Sequence, residues 1–302
     1  MDWSSDENIK ITYRLLRIKG YGPAKANKLL WSLKPSIENS KEFEASLYCA
    51  LKPQEKKEFE DPFELYQDSN ERIGYISVLD DLLYPSMLRT SLRHNSPTVL
   101  SFMGNVNLLK KEKIGFSGSR KVSERGIWIA GDCVKQLAQD DVCVVSGYAK
   151  GVDLIALEAA LRNGATSIVV LPEGISNFRI RPELRELWDW NRVLVVSEFT
   201  PHARWMVSHA MARNKTIIGL SDMMLVIEAG KTGGSLDAGL KTLQAGKALF
   251  VPRFREFPES AFGNLILLRN GAYALGLGRG THHTNIELIR ILMHRRSMEL
   301  FK

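Results

Sequence analysis

The 302-residue chain predicts an α/β protein: a Rossmann-like, doubly wound, mainly parallel sheet preceded by a small helical domain of the helix-hairpin-helix or SAM-like kind. Three observations predict it. Short apolar runs recur from residue 113 onward and are continuous rather than alternating, as in strands covered on both faces. Amphipathic stretches of about 10 to 18 residues separate most of them, the length of a crossover helix. Small-residue turns follow the runs, where a strand hands over to a helix N-terminus in such a sheet.

The elements follow in order. Residues 9–33, "IKITYRLLRIKGYGPAKANKLLWSL", carry helical apolar spacing interrupted by Gly20-Tyr21-Gly22. This resembles a helix-hairpin-helix turn, whose backbone N–H groups approach a phosphate. Pro35 to Pro62 is rich in Glu and Lys and reads as a solvated helix or connector. A strand-turn-helix-strand lead-in follows, punctuated by Pro85 and Pro97. The strands of the main sheet are then "IGF" (114–116), "VCVV" (142–145), "SIVVL" (167–171), "VLVV" (193–196), "MMLVI" (223–227) and "ALFV" (248–251). "SERGIWIAGDCVKQLAQ", "GVDLIALEAALRNG" and "SLDAGLKTLQAG" supply helices. The expected organisation is a helical domain over 1–70, a Rossmann-like domain over 71–276 and a basic C-terminal helix or tail over 277–302.

Composition narrows the class. With 44% hydrophobic and 25% charged residues the chain has ample core material. It contains no apolar run of membrane-spanning length, and "MDWSSDENIK" has no signal-peptide core, so a cytoplasmic location is expected. Cys49, Cys133 and Cys143 lack C-x-x-C spacing and read as packing residues. The net charge of +7 is compatible with a polyanionic partner. The last stretch, 253–302, holds eight Arg or Lys against four Asp or Glu and reads as a solvated basic tail.

Ligands of a doubly wound sheet bind beyond the carboxyl ends of its strands. The exit loops read Ser117-Gly118-Ser119-Arg120, Ser146-Gly147-Tyr148-Ala149-Lys150-Gly151, Pro172-Glu173-Gly174, Ser197-Glu198 and Gly230-Lys231-Thr232-Gly233-Gly234-Ser235. Small residues at helix N-termini expose N–H groups and let an anion approach, so the set reads as a phosphate-binding rim. Two nucleotide loops are excluded letter by letter. A Walker A loop ending in Gly230-Lys231-Thr232 needs Gly where Leu225 stands, and "GFSGSR" lacks the G-x-G-x-x-G of a dinucleotide fold. "GLGRG" at 276–280 lies past the last strand, where it opens no nucleotide-binding unit.

Read together, "DLLYPSMLRTSLRHNSPTVLSFMGN", "IGFSGSRKVSERG", "VVSGYAKGVDLIALEAAL", "VVSEF", "ARNKTIIGLSDMMLVIEA", "GGSLDAGLKTLQAGKALFVP" and "FGNLILLRNGA" resemble the DNA-processing protein A (DprA/Smf) family in order and spacing, from about Tyr75 to Ala274. The resemblance implies a protein that binds single-stranded DNA, often as a homodimer, and helps load the RecA recombinase, as in natural transformation. It implies no cofactor. Gly118, Ser119 and Arg120 match the Gly-Ser-Arg turn of the family's basic pocket, and Ser146, Gly147, Lys150 and Gly151 its second glycine loop. Arg213, Asn214 and Lys215 match the family's Arg-Asn-Arg, and Gly234 and Ser235 its third loop.

The chain departs from the family at three places. Ala210-Met211 stands where Phe-Pro is usual, so an aromatic platform is missing, for which Trp205 is either a substitute or a core residue. Ala238 replaces a Thr, and Asp237 adds a carboxylate that would weaken anion binding. No winged-helix sequence follows Ala274. The alternative is a nucleotide-sensing or phosphoribohydrolase-like protein of the wider superfamily. Aligning Gly233-Gly234 with the hydrolase motif puts Leu240 at the catalytic glutamate, and a leucine transfers no proton. Glu198 and Glu228 read as caps or ion-pair partners. His282, His283 and His294 lack companions at metal-ligand spacing, and His202 and His209 read as surface residues. The expectation is a protein without catalytic activity or a bound metal.

Overall fold

The computed structural model describes residues 1–66, 73–278 and 282–300, with side chains described only to His294 in the last segment. The expected boundary between residues 70 and 71 and the end of the 276–280 motif lie outside the described residues. In chain order the elements are α1 (Asp6–Arg17), α2 (Pro23–Leu33), α3 (Ser40–Ala50), α4 (Pro53–Glu60), β1 (Gly74–Ser77), α5 (Ser86–Leu92), β2 (Val99–Gly104), β3 (Lys113–Ser117), α6 (Glu124–Ala138) and β4 (Cys143–Ser146). They continue with α7 (Val152–Arg162), β5 (Ser167–Val170), β6 (Val193–Ser197), α8 (Val207–Leu220), β7 (Met223–Val226), α9 (Gly234–Gln244), β8 (Leu249–Pro252), α10 (Phe262–Arg269), β9 (Tyr273–Leu275) and α11 (Glu287–Leu300).

The chain forms two compact units. The first comprises 1–106, 171–179 and 195–219, the second 107–170, 180–194 and 220–302. In the first, α1 carries Asp6 and Glu7 in its first turn and Arg14 and Arg17 in its last, the arrangement that complements a helix dipole. Proline at the start of α2 suits a position whose N–H has no helical partner. Residues 35–62, read as a solvated helix or connector, form the helices α3 and α4, which are not wholly solvated: they bury Phe43, Leu47 and Phe59. Asn27, fully buried on α2, donates to the carbonyls of His94 and Ser96 at 2.9 and 2.7 Å, which ties the helices to the β1–β2 segment. Strands β1 and β2 pair antiparallel.

Among the described residues the sheet has nine strands, in the order β1-β2-β6-β5-β4-β3-β7-β8-β9. In the second unit β3 pairs in parallel with β4 on one side and β7 on the other, and β8 and β9 continue in parallel. Strand order reverses between β3 and β7, so their carboxyl ends flank a topological switch point. One face of this sheet is packed by α6, α7 and α11, with Ile114, Phe116, Val144 and Leu225 against Cys133, Ala156, Ile289 and Met293. The C-terminal helix is therefore docked into the core, not a solvated tail. No α-helix crosses from β5 to β6, where two short 3₁₀ turns stand instead. Of the cysteines, Cys133 and Cys143 are buried as packing residues, but Cys49 is exposed. Among the described residues no helix is long and apolar enough to cross a membrane.

Candidate nucleic-acid interface

The exit of β3 lies at the switch point and is interlocked with the exit of β4. Gly151 has φ +82° and ψ −134°, which side-chain-bearing residues rarely adopt, and a Cβ there would collide with Ser119 O and the Arg120 Cα. A Cβ on Gly118 would collide with the Val152 side chain. The Val152 N–H donates to Ser119 O at 3.3 Å, and Ser119 Oγ accepts from the Lys121 N–H at 3.0 Å. The glycines thus let two loops close on each other, and Arg120 and Lys150 emerge beside the junction. Both are exposed, and no hydrogen bond or ion pair engages either side chain among the described residues.

Not every predicted residue faces outward. Ser146 and Gly147 are buried; the Gly147 N–H donates to Asp153 at 3.1 Å and Ser146 Oγ to the Asp153 carbonyl at 3.3 Å. Asp153, itself buried in the first turn of α7, occupies an amide that the sequence offers to a phosphate. These two residues shape the loop from inside.

Beside the second loop stands a cluster that the sequence reading missed. Tyr148 holds φ +61°, accepts the Arg181 N–H on its hydroxyl at 2.8 Å, and receives the Arg181 guanidinium on its carbonyl at 3.0 Å. That guanidinium lies 4.9 Å from the Tyr148 ring centre. Trp188 meets Tyr148 edge-on at 6.5 Å, and Trp190 meets Trp188 at 5.4 Å. All four side chains are partly exposed, giving aromatic and cationic surface next to Lys150. The available signal was the Arg- and Trp-rich run "RIRPELRELWDW" between the apolar runs 167–171 and 193–196.

The third loop leaves β7. Gly234 and Ser235 are half-buried at the start of α9, Gly233 takes φ +107°, and Lys231 is exposed over the Phe262 ring at 4.9 Å. Asp237 pairs with Lys241 at 2.6 Å, so its carboxylate is compensated within its own helix. Glu228, fully buried at the exit of β7, accepts from the Ser123 N–H at 3.1 Å, from Ser123 Oγ, and from Ser260 Oγ at 2.6 Å. Ser123 is the N-cap of α6, so Glu228 anchors the helix that the Gly-Ser-Arg turn enters.

The Arg213-Asn214-Lys215 segment belongs to the first unit, on α8. Arg213 is buried, Asn214 half-buried and Lys215 exposed. Burial pushes the Glu198 carboxyl up to about 7, opposed by a hydrogen bond from Thr216 Oγ1 at 3.0 Å and by the charges of Arg213 and Lys215. Trp205, Met206 and Val207 are exposed, so Trp205 is not a core residue. His209 stacks on Phe199 at 4.1 Å, and His202 Nδ1 lies 3.1 Å from Ser176 Oγ. At the helix-hairpin-helix-like turn the Lys19 N–H is held by Glu58 at 2.8 Å and Lys25 by Glu55 at 2.9 Å. Carboxylates sit where a phosphate was expected.

A sequence model of the DNA recombination-mediator protein A family matches residues 75–282. The chain belongs to that family. It is 36% identical over 176 residues to DNA processing protein DprA of Streptococcus pneumoniae, covering 58% of this chain and 61% of that one. It is 28% identical over 195 residues to DprA of Bacillus subtilis, covering 64% and 65%. The chain thus spans less than two thirds of these relatives' length in each comparison. The crystal structure of DprA from S. pneumoniae superposes with a TM-score of 0.69 at 25% identity, covering 91% of this chain and 96% of that one. DNA processing protein A of Helicobacter pylori, whose structure concerns a single-stranded DNA binding mode, gives 0.58 at 25% identity, over 69% and 93%. Against the DprA/Smf pattern, the departures fall at Ala210-Met211, where Trp205 is exposed nearby in sequence, and at Asp237, neutralised by Lys241.

Proposed function

We propose that the protein binds single-stranded DNA on the loops leaving β3 and β4 and assists RecA-dependent recombination, as a cytoplasmic homodimer without catalytic activity. One observation carries the reading: the interlocking of the two glycine loops, which brings Arg120 and Lys150, exposed and without an ion-pair partner among the described residues, to one junction on the carboxyl edge of the sheet. A guanidinium there offers two N–H donors to one phosphate, while the neighbouring Tyr148 and Trp188 offer rings to bases. Membership of a family of recombination mediators, and a relative with a described single-strand binding mode, support the same substrate. The absence of catalysis is supported by the carboxylates: Glu228 is engaged by Ser123 and Ser260, and Glu198 is held by Thr216.

The test compares a single-stranded oligonucleotide, a duplex and mononucleotides by anisotropy at several salt concentrations. Log K for the oligonucleotide should fall with log[salt] at about −0.7 per phosphate neutralised. Arg120→Ala should cost about 1.5–3 kcal/mol, roughly tenfold to a hundredfold in affinity. Arg120→Lys should recover part of it, and Arg269→Ala at the exposed end of α10 should cost well under ~1 kcal/mol. Salt-independent affinity, or mononucleotide turnover, would refute the reading. Light scattering of the purified protein checks the dimer, and strand exchange by a RecA-type recombinase with and without the protein checks its assistance.

A further inference from the structure

A groove of about 970 Å³ opens on the second unit between the N-terminal turns of α6 and the segments that leave β8 and β9. Its lining combines two chemistries. Trp128, Phe254 and Phe257 supply aromatic surface, and Arg125, Arg253 and Arg255 supply charge. The Arg125 guanidinium lies 4.4 Å from the Trp128 ring centre, and Phe254 meets Phe257 edge-on at 5.7 Å. All three arginines are exposed, and among the described residues no ion pair engages any of them. Glu256 is the single carboxylate among the lining residues. The wall formed by Thr284 is braced from below, because buried Asp132 accepts the Thr284 N–H at 2.6 Å and His283 Nδ1 lies 2.7 Å from the same carboxylate.

Flat rings and guanidinium groups lining one groove fit a ligand with flat faces and a repeating negative charge. An acidic peptide would satisfy the arginines but would turn its backbone polar groups towards seven apolar lining residues, at a cost in desolvation. A duplex hides its base faces. A single strand offers both bases to stack and phosphates to pair. The position agrees: Ser123 lines the groove three residues after Arg120, so their Cα atoms are at most about 11 Å apart.

We propose that this groove is a second contact for single-stranded DNA, in which a base stacks on Trp128 or Phe254 while Arg125, Arg253 and Arg255 take the flanking phosphates. It extends the strand path beyond the Arg120 junction and rests on the reading of this protein as a single-strand binder. The experiment is anisotropy with a 20-nucleotide poly-dT probe on the full chain, using parent, Arg120→Ala, Phe254→Ala, and Arg253→Glu with Arg255→Glu, at matched melting temperatures. Phe254→Ala should weaken binding about fivefold to a hundredfold, the range of one stacked base. The double reversal should lower the salt slope by about 0.7 for each phosphate that the arginines no longer neutralise. Binding by the groove variants equal to the parent, with Arg120→Ala impaired, would overturn the groove and leave the junction standing. A parent that fails to bind the probe overturns both. Retention of a labelled poly-glutamate peptide by the parent, abolished in the groove variants while DNA binding is unchanged, would assign the groove to a protein partner instead. If a variant unfolds, quenching of Trp128 fluorescence by the probe, read as the difference between parent and Trp128→Phe, decides the matter: no difference sinks the proposal.

Discussion

Gly151→Ala tests whether the two loops are interlocked as described. The position penalises a methyl group twice. Its φ of +82° and ψ of −134° fall where alanine is strained by about 1–3 kcal/mol. The new Cβ would also run into Ser119 O and the Arg120 Cα, both backbone atoms, so a chain segment must move rather than a side chain turn. Together about 2–4 kcal/mol is expected, with Arg120 displaced. Gly164 provides the control: φ is +75°, yet a Cβ there meets nothing within 4 Å. Gly164→Ala should therefore cost the conformational part alone, about 1–2 kcal/mol. Denaturant unfolding of both variants measures the gap, and anisotropy with single-stranded oligonucleotide measures its consequence. Gly151→Ala should lose affinity and Gly164→Ala keep it. Equal stabilities, or Gly151→Ala binding like the parent, would mean that the junction does not position Arg120.

Asn264 is fully buried, accepts the Ala229 N–H at 2.9 Å, and donates to the carbonyls of Ile227 and Pro252 at 3.0 and 3.2 Å, joining the ends of β7 and β8. Asn264→Ala should cost about 2–4 kcal/mol in thermal unfolding, and Asn264→Asp more, because a carboxylate would face two carbonyl oxygens. Glu198 gives a pH signature. Burial raises its carboxyl from 4.5 to about 7, so the native state holds a proton that the unfolded chain releases across that interval. Stability should fall as pH rises from about 4.5 to 7, by no more than about 3 kcal/mol, and then level. Glu198→Gln should flatten that slope, raising the melting temperature at pH 8 relative to the parent but not at pH 4; an unchanged slope would refute the assignment.

The sheet was legible because continuous apolar runs and glycine turns are local signals. "KIGFSGSR" alone predicts a covered strand and a tight exit, and β3 ends at Ser117 as that reading requires. What was not legible depended on partners distant in sequence. Nothing in "SGYAKGVD" shows that the Asp153 carboxylate takes the Gly147 N–H, since an acid in a first helical turn is unremarkable. Tyr148 and Arg181 stand 33 residues apart, and their contact obeys no periodicity. The groove shows the same blindness: "RFREFP" opens the stretch read as a solvated basic tail, and Trp128 is one residue on an amphipathic helix, until the fold brings them together.

The Arg213-Asn214-Lys215 run is the opposite case, where elementary geometry had more to say than the letters. Consecutive residues on an α-helix point about 100° apart, so three in a row cannot share a face. Once "ARNKTIIGL" is placed on a helix, only one member of the run can point at a ligand while another must turn towards the core. The structure resolves this with Arg213 buried, beside a Glu198 whose carboxyl its charge helps hold down, and Lys215 exposed. Arg213 is thus suited to balancing a buried carboxyl, and Lys215 to meeting a phosphate. Lys215→Ala should therefore change oligonucleotide affinity and its salt slope with little effect on melting. Arg213→Ala should lower the melting temperature first, because it removes a buried charge that opposes the burial of Glu198 and leaves that opposition to Lys215, which is exposed and more screened. The reverse pattern in the two variants would assign the DNA contact to Arg213 and show that α8 turns on binding.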